Sequence, residues 1–244
     1  MQMRSELLNA LFYRVRPIKT QHSLIRLGGE GDGGYLVPND LTNVDACFSP
    51  GVDQTANFEK DLIGRNVPCF LADYSVSQPP FEHSLINFKK KFVGLYSDEQ
   101  HIDLKTWVEE CAPESKNLIL QMDIEGSEYP ILYHADLPTL LRFRILVIEF
   151  HGLQCVFDDS KIDTVFCTFD RLSRYFDVVH IHPNNCTPLV TIEGVSVAPV
   201  MEFTFLRKDR RVFNGYVSEF PHALDRPNVT TKDDIVLPAC WYSG

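Results

Sequence analysis

Positive charge, paired cysteines and long apolar runs are all scarce in this chain of 244 residues. Only 23 Lys and Arg face 33 Asp and Glu, for a formal net charge of −10. A nucleic-acid backbone is held by concentrated Lys and Arg, so nucleic acid is not expected as a partner. The seven cysteines, Cys47, Cys69, Cys111, Cys155, Cys167, Cys186 and Cys240, are odd in number, widely spaced and without a C-x-x-C pair. That pattern suits buried thiols in a reducing compartment better than a disulfide framework or a structural zinc site. The first residues, M-Q-M-R-S-E-L-L, are too polar for a signal peptide, and no later run has the ~20 apolar residues of a membrane helix. The expectation is a cytoplasmic protein with no membrane span. The sequons at Asn185 and Asn228 then carry no weight. Repeats and low-complexity segments are missing too, while 44% hydrophobic and 23% charged residues are ordinary for a globular chain.

What is present is organised around Leu118 to Glu128, L-I-L-Q-M-D-I-E-G-S-E. The apolar run is too short for a buried helix and suits a strand covered on both faces. Asp123 stands at its carboxyl end and Glu125 two residues on. Upstream, Leu7, Leu8, Leu11 and Phe12 recur at helical spacing, and two apolar runs flank a glycine-rich turn from Gly28 to Gly34. From Asp45 the pattern alternates. Strands are predicted at 46–49, 68–72, 91–95, 118–122, 144–150 and 177–182, with helices at 57–64, 104–111, from 127 and at 161–175. Such alternation indicates a mainly parallel sheet with helices on both faces. A long seventh strand over 197–206 follows without an intervening helix, which implies an antiparallel hairpin. The expected fold is α/β, a Rossmann-like seven-stranded sheet with an antiparallel last strand. One domain over 1–244 is expected: an N-terminal helix and hairpin (1–44), the core (45–208), and a C-terminal strap (209–244) that keeps too many aromatics for a free tail.

In an open α/β sheet the strand carboxyl ends converge on one crevice. Asp123, Glu125, His151 after the fifth strand and His182 after the sixth are therefore the candidate catalytic residues, with Glu149, Asn184 and Asn185 as candidate acceptor contacts. Either a histidine or Asp123 could serve as a general base, or the carboxylates and a histidine could hold a divalent metal. Lys89-Lys90-Lys91 reads as a solvated helix end and Asp158-Asp159 as a helix N-terminal signal.

Four signatures, Arg26-Leu27-Gly28, Gly31-Asp32-Gly33-Gly34-Tyr35, Phe48-Ser49-Pro50-Gly51-Val52 with Phe58-Glu59, and Asp123-Ile124-Glu125-Gly126-Ser127-Glu128, resemble the FkbM-type methyltransferases in order and spacing over about 24–208. The resemblance implies S-adenosylmethionine as cofactor and O-methylation of a sugar, glycan or polyketide-like acceptor. It places Gly51 where a side chain would obstruct the cofactor's methionine moiety, with Ser49 beside it and Asp123 against the cofactor; Asp73, closing the second strand, either accepts from the ribose hydroxyls or is a helix-cap or loop acid. Asp32, Gly33, Gly34 and Tyr35 either line the cofactor's amino-acid end or form a turn. The Tyr216 to Trp241 aromatics either stack on a sugar or pack a strap onto the sheet. Rival readings are a methyltransferase of a small lipid or secondary metabolite, a non-catalytic module on the same fold, and a nicotinamide-dependent dehydrogenase. The turn after the first core strand lacks the dinucleotide fingerprint, which counts against the last.

Overall fold

The computed structural model describes residues 2–52 and 54–243; Met1, Asp53 and Gly244, at the ends and beside the first turn, lie outside the described residues. The chain opens with α1 (Gln2–Val15), which buries Leu8, Leu11, Phe12 and Val15 at helical spacing. A hairpin follows, β1 (Leu24–Leu27) and β2 (Tyr35–Pro38), paired from Leu24↔Pro38 to Leu27↔Tyr35 across the glycine-rich turn.

The main sheet then builds from β3 (Ala46–Pro50), α2 (Asn57–Ile63), β4 (Cys69–Ala72) and β5 (Ile86–Lys89). A small parallel pair, β6 (Phe92–Gly94) and β7 (His101–Asp103), precedes α3 (Leu104–Cys111), whose first turn is capped by Asp103 accepting from the Thr106 amide at 2.9 Å. Next come β8 (Leu118–Met122), α4 (Glu128–His134), the short α5 (Leu137–Leu140), β9 (Phe143–Phe150), α6 (Ile162–Ser173) and β10 (Phe176–Pro183). A hairpin of β11 (Val190–Ile192) and β12 (Val195–Val197) leads into β13 (Met201–Arg207). The seven-stranded sheet runs β10-β13-β9-β8-β3-β4-β5. Only β13 is antiparallel, to both of its neighbours. This is the α/β architecture that the alternation indicated.

Two elements differ from the sequence reading. The third strand of the sheet is Ile86–Lys89, pairing with β4, and not 91–95. It is a half-buried edge strand, I-N-F-K, that lacks the apolar run by which central strands are recognised. The apolar F-V-G-L-Y segment that drew the assignment lines a cavity instead. Consequently Lys89-Lys90-Lys91 closes an edge strand and is not a helix end. The last strand is also shorter than expected: Val197 belongs to β12, and Pro199 lies between it and β13.

Both faces of the sheet are covered. On one, α1, α3, α4 and α6 pack on Phe48, Leu120, Met122, Phe143, Ile148 and Phe203. On the other, α2 and the β1-β2 hairpin pack on Cys47, Leu71, Ile119, Ile145 and Val147. All of β8 and β9 is buried, as parallel central strands require. The seven cysteines are free. No described helix is long and apolar enough to cross a membrane. Residues 209–243 run over the sheet end; Trp241 is fully buried between Phe12 and Phe203, and Arg16 stacks on Tyr216 at 4.2 Å.

Candidate active site

The sheet face under the hairpin changes character along the strands. On β8 the inward sequence is Ile119, Gln121, then Asp123; on β9 it is Ile145, Val147, then Glu149. Antiparallel β13 reads Leu206, Thr204, Glu202. Register aligns Glu149 with Glu202 and Glu202 with His182, and one step past Met122↔Ile148 brings Asp123 level with Glu149. Lateral neighbours share a face, so Asp123, Glu149, Glu202 and His182 form one polar row across four strands at the carboxyl end.

Polar groups buried this deeply must find partners. Ser49 Oγ lies between the Glu59 carboxyl and Gln121 Oε1, and Gln121 Nε2 donates to Tyr35 Oη at 3.5 Å. The Tyr35 hydroxyl donates to Glu149 Oε2 at 3.3 Å, and Asn184 Nδ2 donates to Glu149 Oε1 at 2.8 Å. Burial pushes Glu59 up, and burial with the charges of Asp123 and Glu202 pushes Glu149 well above the usual carboxyl range. At the far end of the row, His182 stands between Glu202 and Asp234 at 3.6 and 3.2 Å. Burial lowers its pKa, but hydrogen bonds to Asp234 and Glu202 outweigh that and raise it to about 10.

The loop after β8 is held by one buried acid. Glu128 Oε1 accepts from the amides of Ile124 (3.2 Å) and Gly126 (3.0 Å) and from His151 Nδ1 (3.1 Å). This clamps Glu125 at φ 57° and Gly126 at φ 108°, a conformation that glycine adopts freely and Glu does not. With Nδ1 committed, His151 Nε2 faces Asp123 Oδ1 at 3.7 Å, Glu125 Oε2 at 3.6 Å and Glu149 Oε1 at 4.0 Å. Burial, opposed by His151 and assisted by Glu125, Asp32 and Glu128, raises Asp123 to about 7. His151 is lowered by burial and raised by Glu128, Asp123 and Glu149, with a net rise to about 9. One ligand atom from each of Asp123, Glu125 and His151 falls within 4.8 Å of the others, a spacing that could hold a metal ion.

Beside this cluster opens a cavity of about 770 Å³. Asp32, Gly33, Tyr35, Gly51, Asp73, Asp123 and Glu125 line it. Its described lining carries five carboxyl residues, Asp32, Glu59, Asp73, Asp123 and Glu125, and neither Lys nor Arg. Phe92, Tyr96 and His101 form its aromatic side. One oxygen of Asp73 accepts from the amide and hydroxyl of Ser75 at 2.7 and 2.6 Å.

The remaining sequence candidates sit elsewhere. Among the described residues, Gly34 and Ser49 do not line the cavity, and Ser49 is wholly buried beneath it. His151 lies behind the two acids. His182 is three strand spacings from Asp123, ~14 Å, and ion-paired in the interior. Asn184 holds Glu149, while Asn185 donates to the carbonyls of Val229 and Asp233 and accepts from the Val229 amide. Buried Trp241 and arginine-stacked Tyr216 pack the strap, and the aromatic rings in the cavity's described lining are Tyr35, Phe58, Phe92 and Tyr96, with His101. Gly51 is required for a nearer reason than a ligand: with φ 82°, a Cβ there would stand 1.5 Å from the Asp123 carbonyl oxygen. Gln121 escaped the sequence reading, and Glu128 entered it only as the last residue of a signature, with no role assigned. A physical signal for Glu128 was an acid in the first turn of a helix following a glycine loop.

A family model described as the methyltransferase FkbM domain matches residues 38–181, more than half of the chain. No curated protein sequence matches. Among solved structures, a crystal structure of a mutant 16S rRNA (adenine(1408)-N(1))-methyltransferase from Catenulisporales acidiphilia is similar with 8% identity and a TM-score of 0.33. The match covers 76% of this chain and 97% of that one.

Proposed function

We propose that this chain, which belongs to the methyltransferase FkbM family, transfers the methyl group of S-adenosylmethionine to a hydroxyl of a sugar or glycan. Methyl transfer and use of this cofactor follow from the family; the hydroxyl and the sugar are the reading argued here. The observation that carries it is the cavity at the strand carboxyl ends with five carboxyl residues and no Lys or Arg in its described lining. When bound, S-adenosylmethionine supplies a methyl group on a positively charged sulfonium. Carboxylates in a partly buried wall favour that charge and the ammonium beside it. On this reading Asp73, which follows β4 and lines the cavity, takes the ribose, and Asp32 with Gly33 the amino-acid end.

The acceptor oxygen must give up its proton as its bond to carbon forms and the sulfur keeps the electron pair of the bond that breaks. On this reading Asp123, on the cavity wall with His151 behind it, receives that proton. Hydroxyl-rich rings fit a lining that offers both carboxylates and exposed aromatic rings: carboxylates accept from hydroxyls, and Phe92 and Tyr96 offer flat faces. On this reading 45–208 is the catalytic core of one domain over 1–244, 1–44 contributes a wall, and 209–244 is a strap.

Calorimetric titration with S-adenosylmethionine and, separately, NADH tests the cofactor, and labelled methyl transfer to glycan hydroxyls tests the acceptor. Asp123→Asn is expected to lower turnover by ~100-fold or more while the protein stays folded. Folded protein that ignores S-adenosylmethionine would sink the proposal, and unchanged turnover in Asp123→Asn would remove Asp123 from the chemistry.

A further inference from the structure

We infer that Asp123, Glu125 and His151 form a binding site for one divalent cation of the manganese type, at the end of the cavity where the acceptor oxygen is to be placed. The distances argue first. His151 Nε2 lies 3.7 Å from Asp123 Oδ1 and 3.6 Å from Glu125 Oε2. Both are too long for hydrogen bonds. Two donors bound at ~2.1 Å to one six-coordinate ion stand ~3 to 4 Å apart. With the Asp123 and Glu125 oxygens also within 4.8 Å of each other, the three side chains are spaced as ligands around a common centre.

The orientation of the imidazole argues second. A histidine that binds a metal through one nitrogen commonly donates its other N–H to a carboxylate, which fixes the tautomer and ring plane. Glu128 does this to His151 at 3.1 Å, leaving Nε2 turned toward the two acids. The same oxygen of Glu128 accepts from the amides on either side of Glu125, so one buried acid positions two of the three ligands. Its second oxygen, Oε2, is buried with no hydrogen-bond partner.

Charge balance argues third. Asp123 and Glu125 face the cavity, His151 is the one cationic group against them among the described residues, and neither Lys nor Arg appears in the described lining. The donors also select the ion. Two carboxylates suit hard cations and one imidazole suits borderline ones, a combination that Mn2+ accepts more readily than Mg2+. Asp123 is partly exposed and Glu125 largely so, which leaves room for water or an acceptor hydroxyl to complete the shell. A hydroxyl bound there becomes more acidic and can release its proton to solvent at the open side. Asp123 would then act as a ligand in place of a direct proton acceptor. Only this effect rests on the methyl-transfer reading; the site itself does not.

The test uses the full chain, stripped with chelator and titrated with MnCl2, following the electron paramagnetic resonance signal of free Mn2+. One ion bound per chain, with nitrogen hyperfine coupling from a single imidazole, is expected. Glu125→Gln, an exposed change that does not disturb folding, and His151→Ala should each weaken binding. Glu128→Gln should weaken it ~10- to 100-fold, and Glu99→Gln should leave it unchanged. Absence of binding, binding without nitrogen coupling, or binding unaffected by Glu125→Gln overturns the inference. Calorimetry with S-adenosylmethionine on the same stripped protein separates the two claims. Cofactor binding without Mn2+ binding defeats the metal site alone, and Mn2+ binding without cofactor binding defeats the functional reading alone.

Discussion

At Gly51 the main chain turns with φ 82° directly against the carbonyl oxygen of Asp123. The first and fourth core segments therefore touch backbone to backbone at the floor of the cavity, and no side chain fits between them. Gly51→Ala is expected to destabilise the protein by at least ~1–3 kcal/mol from backbone strain alone, measured by urea unfolding. It should also abolish cofactor binding in whatever fraction stays folded, because Asp123 must move. Wild-type stability in this variant would show that the turn can relax. The importance of Gly51 was legible in the sequence, but its cause was not: the obstacle is a carbonyl more than 70 residues away, visible only once β3 and β8 are side by side. Asp123, Glu125 and His151 were legible because strand carboxyl ends converge. His182 was misleading for the same reason. It ends a parallel strand, yet β13 inserts between β10 and β9, and Glu202 and Asp234 enclose it.

At the scale of elements, the central strands were easy to find because burial on both faces makes them continuously apolar. Edge strand β5 was hidden by its half-polar composition, and the strap contacts by sequence separation. Those contacts are specific: His180 with Asp225 at 2.8 Å, Asn228 with Glu202 at 2.6 Å, and His182 with Asp234. They tie the irregular 225–234 segment to β10 and β13 through charge, which makes the strap sensitive to pH. The pKa of His182 rises from 6.5 to about 10 on folding, so its contribution is complete below pH 6.5 and is lost as pH climbs toward 10. The groups facing it are Glu202, Asp234 and Asp225. Thermal midpoints should therefore fall from pH 7 to pH 10. Asp234→Asn should cost ~1–2 kcal/mol at neutral pH and flatten that slope, with faster amide exchange over 225–235. An unchanged slope in this variant would assign the pH dependence to other groups.

For the whole molecule, the overall charge of −10 told against a nucleic-acid surface but said nothing of where the acids gather. The cavity at the strand carboxyl ends has five carboxyl residues and neither Lys nor Arg in its described lining, while a group of cations lines a different cavity. Arg142, Arg174, Arg207 and Lys208 cluster around a second cavity of about 660 Å³, together with Pro113 and Tyr175. That separation was not legible, because each cation is recruited locally: Arg142 donates to the carbonyls of Ser115 and Ala112, and Arg207 to that of Leu141. The acid-lined hollow has a consequence for turnover. Donation of the methyl group converts a sulfonium into an uncharged thioether, so the spent cofactor loses the feature that the surrounding carboxylates attract. The enzyme would thus hold its reactant more firmly than its by-product, and inhibition by accumulated S-adenosylhomocysteine should be mild. Competition binding at low and high salt would measure this: the preference for the charged form should be greatest at low ionic strength and shrink as salt screens the wall. Equal affinities at every salt concentration would mean that the carboxylates are neutralised before the cofactor arrives.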